Sequence, residues 1–125
     1  MNVGFVESLV DGPFDCFVFH DIDLLPEDIR HLYHCSFMPR HLNVAPSNFN
    51  YTLPYGSYFG GACSMTEEHI RMVNGWSNKY WGWGSEDDDL SRRVSFKKLS
   101  MWRYPINIAR YKMLIHKPSA VNKNR

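Results

Sequence analysis

The run Tyr80-Trp81-Gly82-Trp83-Gly84-Ser85-Glu86-Asp87-Asp88-Asp89 sets two indoles directly before four consecutive carboxylates. An apolar core would not hold four adjacent acids, and a solvated face has no use for large rings beside them. A flat aromatic platform next to a carboxylate base suits a sugar ring that is to lose a hydroxyl proton. Gly82 and Gly84 would let the backbone approach a ligand closely. A second acidic signal, His20-Asp21-Ile22-Asp23, closes an apolar run. If extended, it would turn both carboxylates the same way, one to a divalent cation and the other to a ribose or a bound water. The third signal is Met113-Leu114-Ile115-His116, with thioether and imidazole three residues apart, as on a helical turn or a tight loop. Carboxylate, imidazole and thioether form a mixed donor set that fits manganese better than magnesium. These are the parts expected of a metal-dependent sugar transferase. Each has a plainer reading. Acids in a first helical turn are stabilised by the helix dipole, Asp-x-Asp occurs in turns, and Met commonly fills cores.

The elements that must position these residues read as α/β. Phe14 to Phe19, after Gly12-Pro13, predicts a buried strand that delivers Asp21 and Asp23 just beyond its C-terminal end, where open α/β sheets collect ligands. Pro26-Glu27-Asp28 predicts a helix through Ile29, Leu32 and Tyr33. Residues 35–58 read as extended loop with short strands. Thr66-Glu67-Glu68 predicts a capped helix with Ile70 and Val73 on one side, ending at Asn74-Gly75. Ser85 to Asp88 has capping-box form and predicts a helix with Leu90 and Val94 on one face.

Composition narrows the function classes. The chain has 125 residues, one domain at most or a piece of one. At 44% hydrophobic and 15% aromatic it can build a sizeable core. A net charge of +1 gives no basic field for nucleic acid or an anionic membrane. No apolar run approaches the roughly 20 residues of a membrane helix, and no signal peptide is visible. Cys16, Cys35 and Cys63 do not have metal spacing. Free thiols, one internal bridge, or a bridge to a segment outside this chain all remain open. Asn50-Tyr51-Thr52 is a glycosylation sequon and makes Asn50 a candidate acceptor.

The motifs Phe17 through Pro26, Pro39-Arg40-His41, Leu53-Pro54-Tyr55, Tyr58-Phe59-Gly60-Gly61, Val73-Asn74-Gly75 and Trp81-Gly82-Trp83-Gly84 through Asp89 stand in one order and spacing. In that order and spacing the chain resembles the β-1,4-galactosyltransferases from about Asn2 to His116. The resemblance implies a glycosyltransferase A-type, Rossmann-like fold and a Golgi type II membrane protein. It implies inverting transfer of galactose from UDP-galactose to the 4-hydroxyl of a terminal N-acetylglucosamine or related sugar. Asp23, Met113 and His116 then resemble the manganese ligands. Asp21 resembles a nucleotide contact, with Ile22 where valine is typical, and Gly61 would lie against the donor sugar. Asp87 resembles the catalytic base and Glu86 its donor-contacting neighbour. Trp83 would cover donor and acceptor. Tyr55, Ser85 and Asp88 fall at the acceptor, Ser85 where the family usually has glycine. Tyr58 is the bulky residue that accompanies galactose as donor sugar. Smaller residues there accompany UDP-N-acetylgalactosamine, so that donor is the alternative enzyme reading. A non-catalytic sugar- or metal-binding remnant is the alternative from another class.

By the same resemblance, residues 1–125 correspond to the C-terminal portion of the catalytic domain. The uridine-binding part would precede residue 1, and the chain would stop within a loop before the last acceptor contacts. Cys16 resembles a cysteine whose disulfide partner lies in that preceding part.

Overall fold

The computed structural model describes residues 1–117. Two small sheets and three helices are found among the described residues. Helix α1 (Asn2–Asp11) opens the chain, followed by β1 (Phe17–His20) and β2 (Leu24–Pro26). Next come β3 (Arg40–His41), β4 (Ala45–Pro46) and a 3-10 turn at Ser47–Phe49. Then follow β5 (Ala62–Met65), α2 (Glu67–Met72), α3 (Glu86–Phe96), β6 (Trp102–Arg103) and β7 (Arg110–Met113).

The first sheet has the order β1-β5-β3-β6, with β3 and β6 parallel and the other pairs antiparallel. Phe17 faces Met65 across β1–β5, and His41 is in register with Arg103 across β3–β6. The second sheet, β2-β7-β4, sets Leu24 opposite Met113. The main core joins Phe5 of α1, Phe17, Phe59, Met65, Ile70, Trp76, Leu90 and Val94. A smaller core of Leu24, Leu42, Ala62 and Tyr111 fills the second sheet. Burial of these apolar side chains is the main driving force that holds the site's loops in place. No helix among the described residues is long and apolar enough to cross a membrane.

Several expectations hold and several are corrected. Helix α2 begins where expected, with Thr66 as N-cap. The reciprocal bond comes from His69, whose Nδ1 accepts the Thr66 N–H, not from an acid. The helix ends at Asn74 and Gly75, both at positive φ. The strand expected over residues 14–19 starts only at Phe17 and alternates, with Phe17 buried and Val18 exposed, so it is covered on one face. No helix follows Pro26. Ile29 is 95% exposed and Leu32 is 58% exposed, so an apolar face there had nothing to bury against. Helix α1, unread in the sequence, is anchored by Asn2. Its amide donates to Trp76 O at 2.7 Å and accepts the Trp76 N–H at 2.8 Å. Cys16 bonds to Cys35 within the chain, with Cα atoms 5.3 Å apart, which corrects the partner expected beyond residue 1. Cys63 is a buried free thiol.

Candidate functional site

The site forms where three loops meet at the ends of β1 and β5 and at the start of α3. The loop of residues 55–61 is its floor. Gly60 must be glycine, because a Cβ there would lie 2.6 Å from Asp87 Oδ2 and 2.8 Å from the Tyr58 ring. The Asp87 carboxylate therefore rests directly on the Gly60 backbone. Gly61 has φ +81° and faces Asn43 and Leu24, so it too admits no side chain. Its carbonyl accepts the Asp21 N–H at 2.8 Å, which ties the first acidic motif to this floor.

Electrostatics single out Asp87. Burial, then the charges of Glu86, Asp21 and Asp88, push its carboxyl up to about 7. A carboxylate poised near neutrality is matched to general-base work. Asp21 keeps an exposed surface. The protein packed around it and then the charge of Asp23 hold it above the ordinary carboxylate value. Tyr55 Oη donates to Asp88 Oδ1 at 2.8 Å, and burial and this bond push its phenol up to about 12. Tyr58 stands edge-on to Tyr55, and Asn43 Nδ2 donates to its hydroxyl at 3.3 Å. Burial, with Asp87 next, keeps Tyr58 neutral well above its usual range.

The three expected metal ligands lie on neighbouring segments, and two of them, Asp23 and His116, are in contact. Asp23 immediately precedes β2, Met113 closes β7, and Leu24 pairs with Met113. The Leu114 N–H donates to Asp23 O at 2.7 Å, and His116 Nε2 lies 2.9 Å from Asp23 Oδ2. The peptide oxygen of Lys117, and then Asp23, raise the His116 pKa. Asp23 and His116 bring carboxylate and imidazole together, while Met113 packs against the small core of Leu24, Leu42, Ala62 and Tyr111. Carboxylate, imidazole and thioether are donor types that would suit manganese. Among the described residues no three His, Cys, Asp or Glu side chains are grouped so as to hold a metal ion. Two local expectations are corrected. Met113 and His116 lie on a strand end and its extension, not on a helical turn. Asp21 to Leu24 is a turn closed by the Leu24 N–H on Asp21 O, not an extended run, because the chain must cross from the first sheet to the second there. Ile22, at its tip, is 98% exposed.

The platform lies before α3. Trp81 and Trp83 are 80% and 60% exposed, rings held at the surface rather than in the core. Gly82 and Gly84 both have positive φ. Ser85 precedes α3 but does not cap it through its side chain. Its φ of +80° turns the hydroxyl away from the first helical N–H groups, which corrects the capping-box reading. Glu86, Asp87, Asp88 and Asp89 fill the first turn of α3. Asp89 is structural and pairs with Arg93 at 2.7 Å. Asn50 is exposed, at positive φ after the 3-10 turn.

Asn43, His41 and Arg103 were given no role at the site by sequence reasoning, although His41 stands in the Pro39-Arg40-His41 motif. His41 and Arg103 lie on short strands and hold backbone carbonyls, and Asn43 reaches the Tyr58 hydroxyl, contacts that no residue spacing reveals.

The family model described as the N-terminal domain of galactosyltransferase matches residues 40–117. The one described as the N-terminal region of glycosyl transferase group 7 matches residues 1–36. Beta-1,4-galactosyltransferase 2 of Mus musculus is 45% identical over 93% of this chain and 32% of its own length. Beta-1,4-galactosyltransferase 4 of the same species is 44% identical over all of this chain and 37% of its own. The chain thus spans about a third of the length of the curated relatives it matches. Among solved structures, the catalytic domain of Drosophila beta-1,4-galactosyltransferase 7 bound to xylobiose superposes with a TM-score of 0.62. That match has 35% identity and covers 72% of this chain and 38% of that one. A mutant of the Drosophila enzyme in complex with manganese, UDP-Gal and xylobiose gives a TM-score of 0.66 at 31% identity, over 83% of this chain and 45% of that one. These neighbours are glycosyltransferase catalytic domains with mixed α/β sheets, and the present fold is a partial domain of that A-type class.

Proposed function

This chain belongs to the galactosyltransferase family, and from that premise we propose that its protein transfers galactose from UDP-galactose, with inversion, to the 4-hydroxyl of a terminal N-acetylglucosamine on a glycoconjugate. Manganese is the proposed cofactor. The observation that carries the reading is Asp87: a carboxylate packed on Gly60, pushed up to about 7, beside an exposed tryptophan platform. A carboxylate so placed can take a hydroxyl proton at neutral pH without forming a covalent intermediate.

The reaction divides among the residues as follows. Trp83 stacks on the sugars and excludes water that would otherwise hydrolyse the donor. Tyr55 and Asp88, already hydrogen-bonded to each other, orient the acceptor, with Ser85 beside them. Asp87 accepts the acceptor hydroxyl proton. The hydroxyl oxygen bonds to the galactose anomeric carbon as the bond from that carbon to UDP breaks, and UDP leaves with the electron pair. Glu86, Gly61 and Tyr58 line the donor sugar, and the Tyr58 ring occupies space that an N-acetyl group would need. Asp21 and Ile22 face the nucleotide. Asp23, Met113 and His116 would hold the manganese, which supplies Lewis-acid relief of the charge on the departing diphosphate. The same reading places the protein in the Golgi membrane with this site in the lumen, where Asn50 could carry a glycan.

The test is a transfer assay with the purified protein, manganese, a β-N-acetylglucosaminide acceptor and either UDP-galactose or UDP-N-acetylgalactosamine. Galactose transfer that is lost in Asp87→Asn and on chelation is the expected outcome. Preference for the N-acetyl donor would overturn the role given to Tyr58. Absence of transfer from a folded, manganese-binding protein would favour a binding-only remnant.

A further inference from the structure

Two side chains with no role expected from the sequence, His41 and Arg103, hold the floor of the site at three carbonyls. Arg103 Nη2 donates to Gly56 O at 2.9 Å and to Tyr58 O at 2.7 Å. Arg103 Nε donates to His41 Nδ1 at 3.1 Å. With Nδ1 accepting, the His41 proton sits on Nε2, which donates to Gly60 O at 3.1 Å. Three carbonyls of one seven-residue loop thus converge on one Arg–His pair. The pair itself is fixed by the β3–β6 register, in which His41 faces Arg103. His41 is 1% exposed and also supports the edge of the Tyr58 ring, with centroids 5.1 Å apart. Burial, with Arg103 next, pushes its pKa down to about 3, so it keeps one tautomer and no charge throughout the neutral range.

The geometry points to the His41–Arg103 pair as a positioning device that sets the loop of residues 55–61 against the Asp87 carboxylate. Neither side chain reaches Asp87 itself. Gly60 is the link: His41 holds its carbonyl, while a Cβ on the same residue would meet Asp87 Oδ2. Gly61 passes the same constraint to the Asp21 N–H. A loop held at three carbonyls cannot shift without giving up these hydrogen bonds, the one to Gly60 O being buried, so the base keeps its place. This inference rests on the transfer reading for its catalytic consequence.

The experiment compares wild type with His41→Leu, His41→Gln and Arg103→Lys, in two measurements. Glutamine can still donate to Gly60 O, whereas leucine cannot. Lysine keeps the charge but cannot serve His41 and two carbonyls together. In hydrogen exchange, the amides of Asp21, Tyr58 and Ala62 should exchange at least about tenfold faster in His41→Leu and Arg103→Lys, with α2 amides unchanged. In the transfer assay, kcat per folded molecule should fall by about tenfold or more, by more than KM for the donor rises, and His41→Gln should recover part of the loss. A purely structural pair would lower the melting temperature and leave kcat per folded molecule unchanged, and that result overturns the inference. So does unchanged loop exchange in the folded variants. If wild type transfers nothing while loop exchange responds as expected, the transfer reading fails, and with it the catalytic role of the pair, leaving only a loop anchor. Arg103 is half-buried at the sheet edge, so Arg103→Lys keeps the test available should His41→Leu not fold.

Discussion

Replacing Gly60 with alanine moves one atom into the contact that defines the base. Gly60 needs no left-handed backbone, so the new methyl group acts through space alone. Its Cβ would sit 2.6 Å from Asp87 Oδ2, whereas ordinary contact begins near 3.4 Å. The carboxylate must then retreat by 3.4 − 2.6, or 0.8 Å, or the loop must retreat instead. The loop is held at three carbonyls and the Tyr58 ring is pinned between His41 and Tyr55, so most of the motion falls on Asp87. A misplacement of about 1 Å costs roughly 100-fold in rate, or about 2.7 kcal/mol of transition-state stabilisation. Overpacking costs about 1–3 kcal/mol of stability besides. Steady-state transfer kinetics beside thermal melting separate the two effects: kcat should fall about 100-fold while the protein still melts cooperatively. A folded Gly60→Ala variant with kcat within about threefold of wild type would refute the placement of Asp87 as base, because no base tolerates that displacement.

Asp87→Asn should abolish transfer and change the pH dependence of stability. In the native state the carboxyl titrates near 7, against about 3.9 when unfolded. The native state therefore binds more protons between those values, so stability falls as pH rises from about 4 to about 7. Melting curves over that range should show the fall in wild type and a flatter profile in Asp87→Asn, which should be more stable by about 1 kcal/mol or more at pH 8. Wild-type transfer should rise with pH through about 7, and a rate that is flat there would count against Asp87 as base. Removing the Cys16–Cys35 bridge by Cys16→Ser should cost about 3 kcal/mol for its separation of 19 residues, read by denaturant melting. Thiol titration of the native protein should find no reactive cysteine, and one, Cys63, on unfolding. Ser85→Gly should raise stability by about 1 kcal/mol, since a serine at φ +80° carries backbone strain that glycine does not; an unchanged melting midpoint would remove strain from the account of Ser85.

The chemistry was more legible in the sequence than the fold. Four adjacent acids after two indoles have few structural explanations, so Asp87 and its neighbours stood out before any geometry. The juxtaposition of Asp23 with His116, on the segment that carries Met113, was not readable from spacing, since they are some 90 residues apart and meet only through the β2–β7 register. It came from resemblance to a family. Helix α1 was missed because its contacts to the core are few, Phe5 and Leu9, and its anchor is Asn2 bonding to Trp76 across the sequence. The helix expected after Pro26 failed for the opposite reason. Its periodic Ile29 and Leu32 were present, but nothing in the fold covers them. The pairing of Cys16 with Cys35 was left open by the residues, and the resemblance pointed the other way. The structure closes the bridge because the segment after β2 returns past the start of β1.

The charge distribution around Asp87 argues that the site is built for a ligand rather than for stability. Every charged group that raises the Asp87 pKa is another carboxylate: Glu86, Asp21 and Asp88. On the same helix Arg93 is committed elsewhere, to Asp89 and to the carbonyls of Val73 and Gly75. Arg103 faces the other side of the loop and holds carbonyls. The fold thus brings like charges together and spends its cations on backbone, an arrangement that lowers stability without helping the core. A hydrophobic or amide residue at Asp87 would fit the same packing at less cost. Carboxylates gathered against that gradient are relieved by what a transferase binds: a divalent cation near Asp23, and a hydroxyl proton at Asp87. The destabilising choice is therefore the functional one, and the Gly60 contact holds it in place.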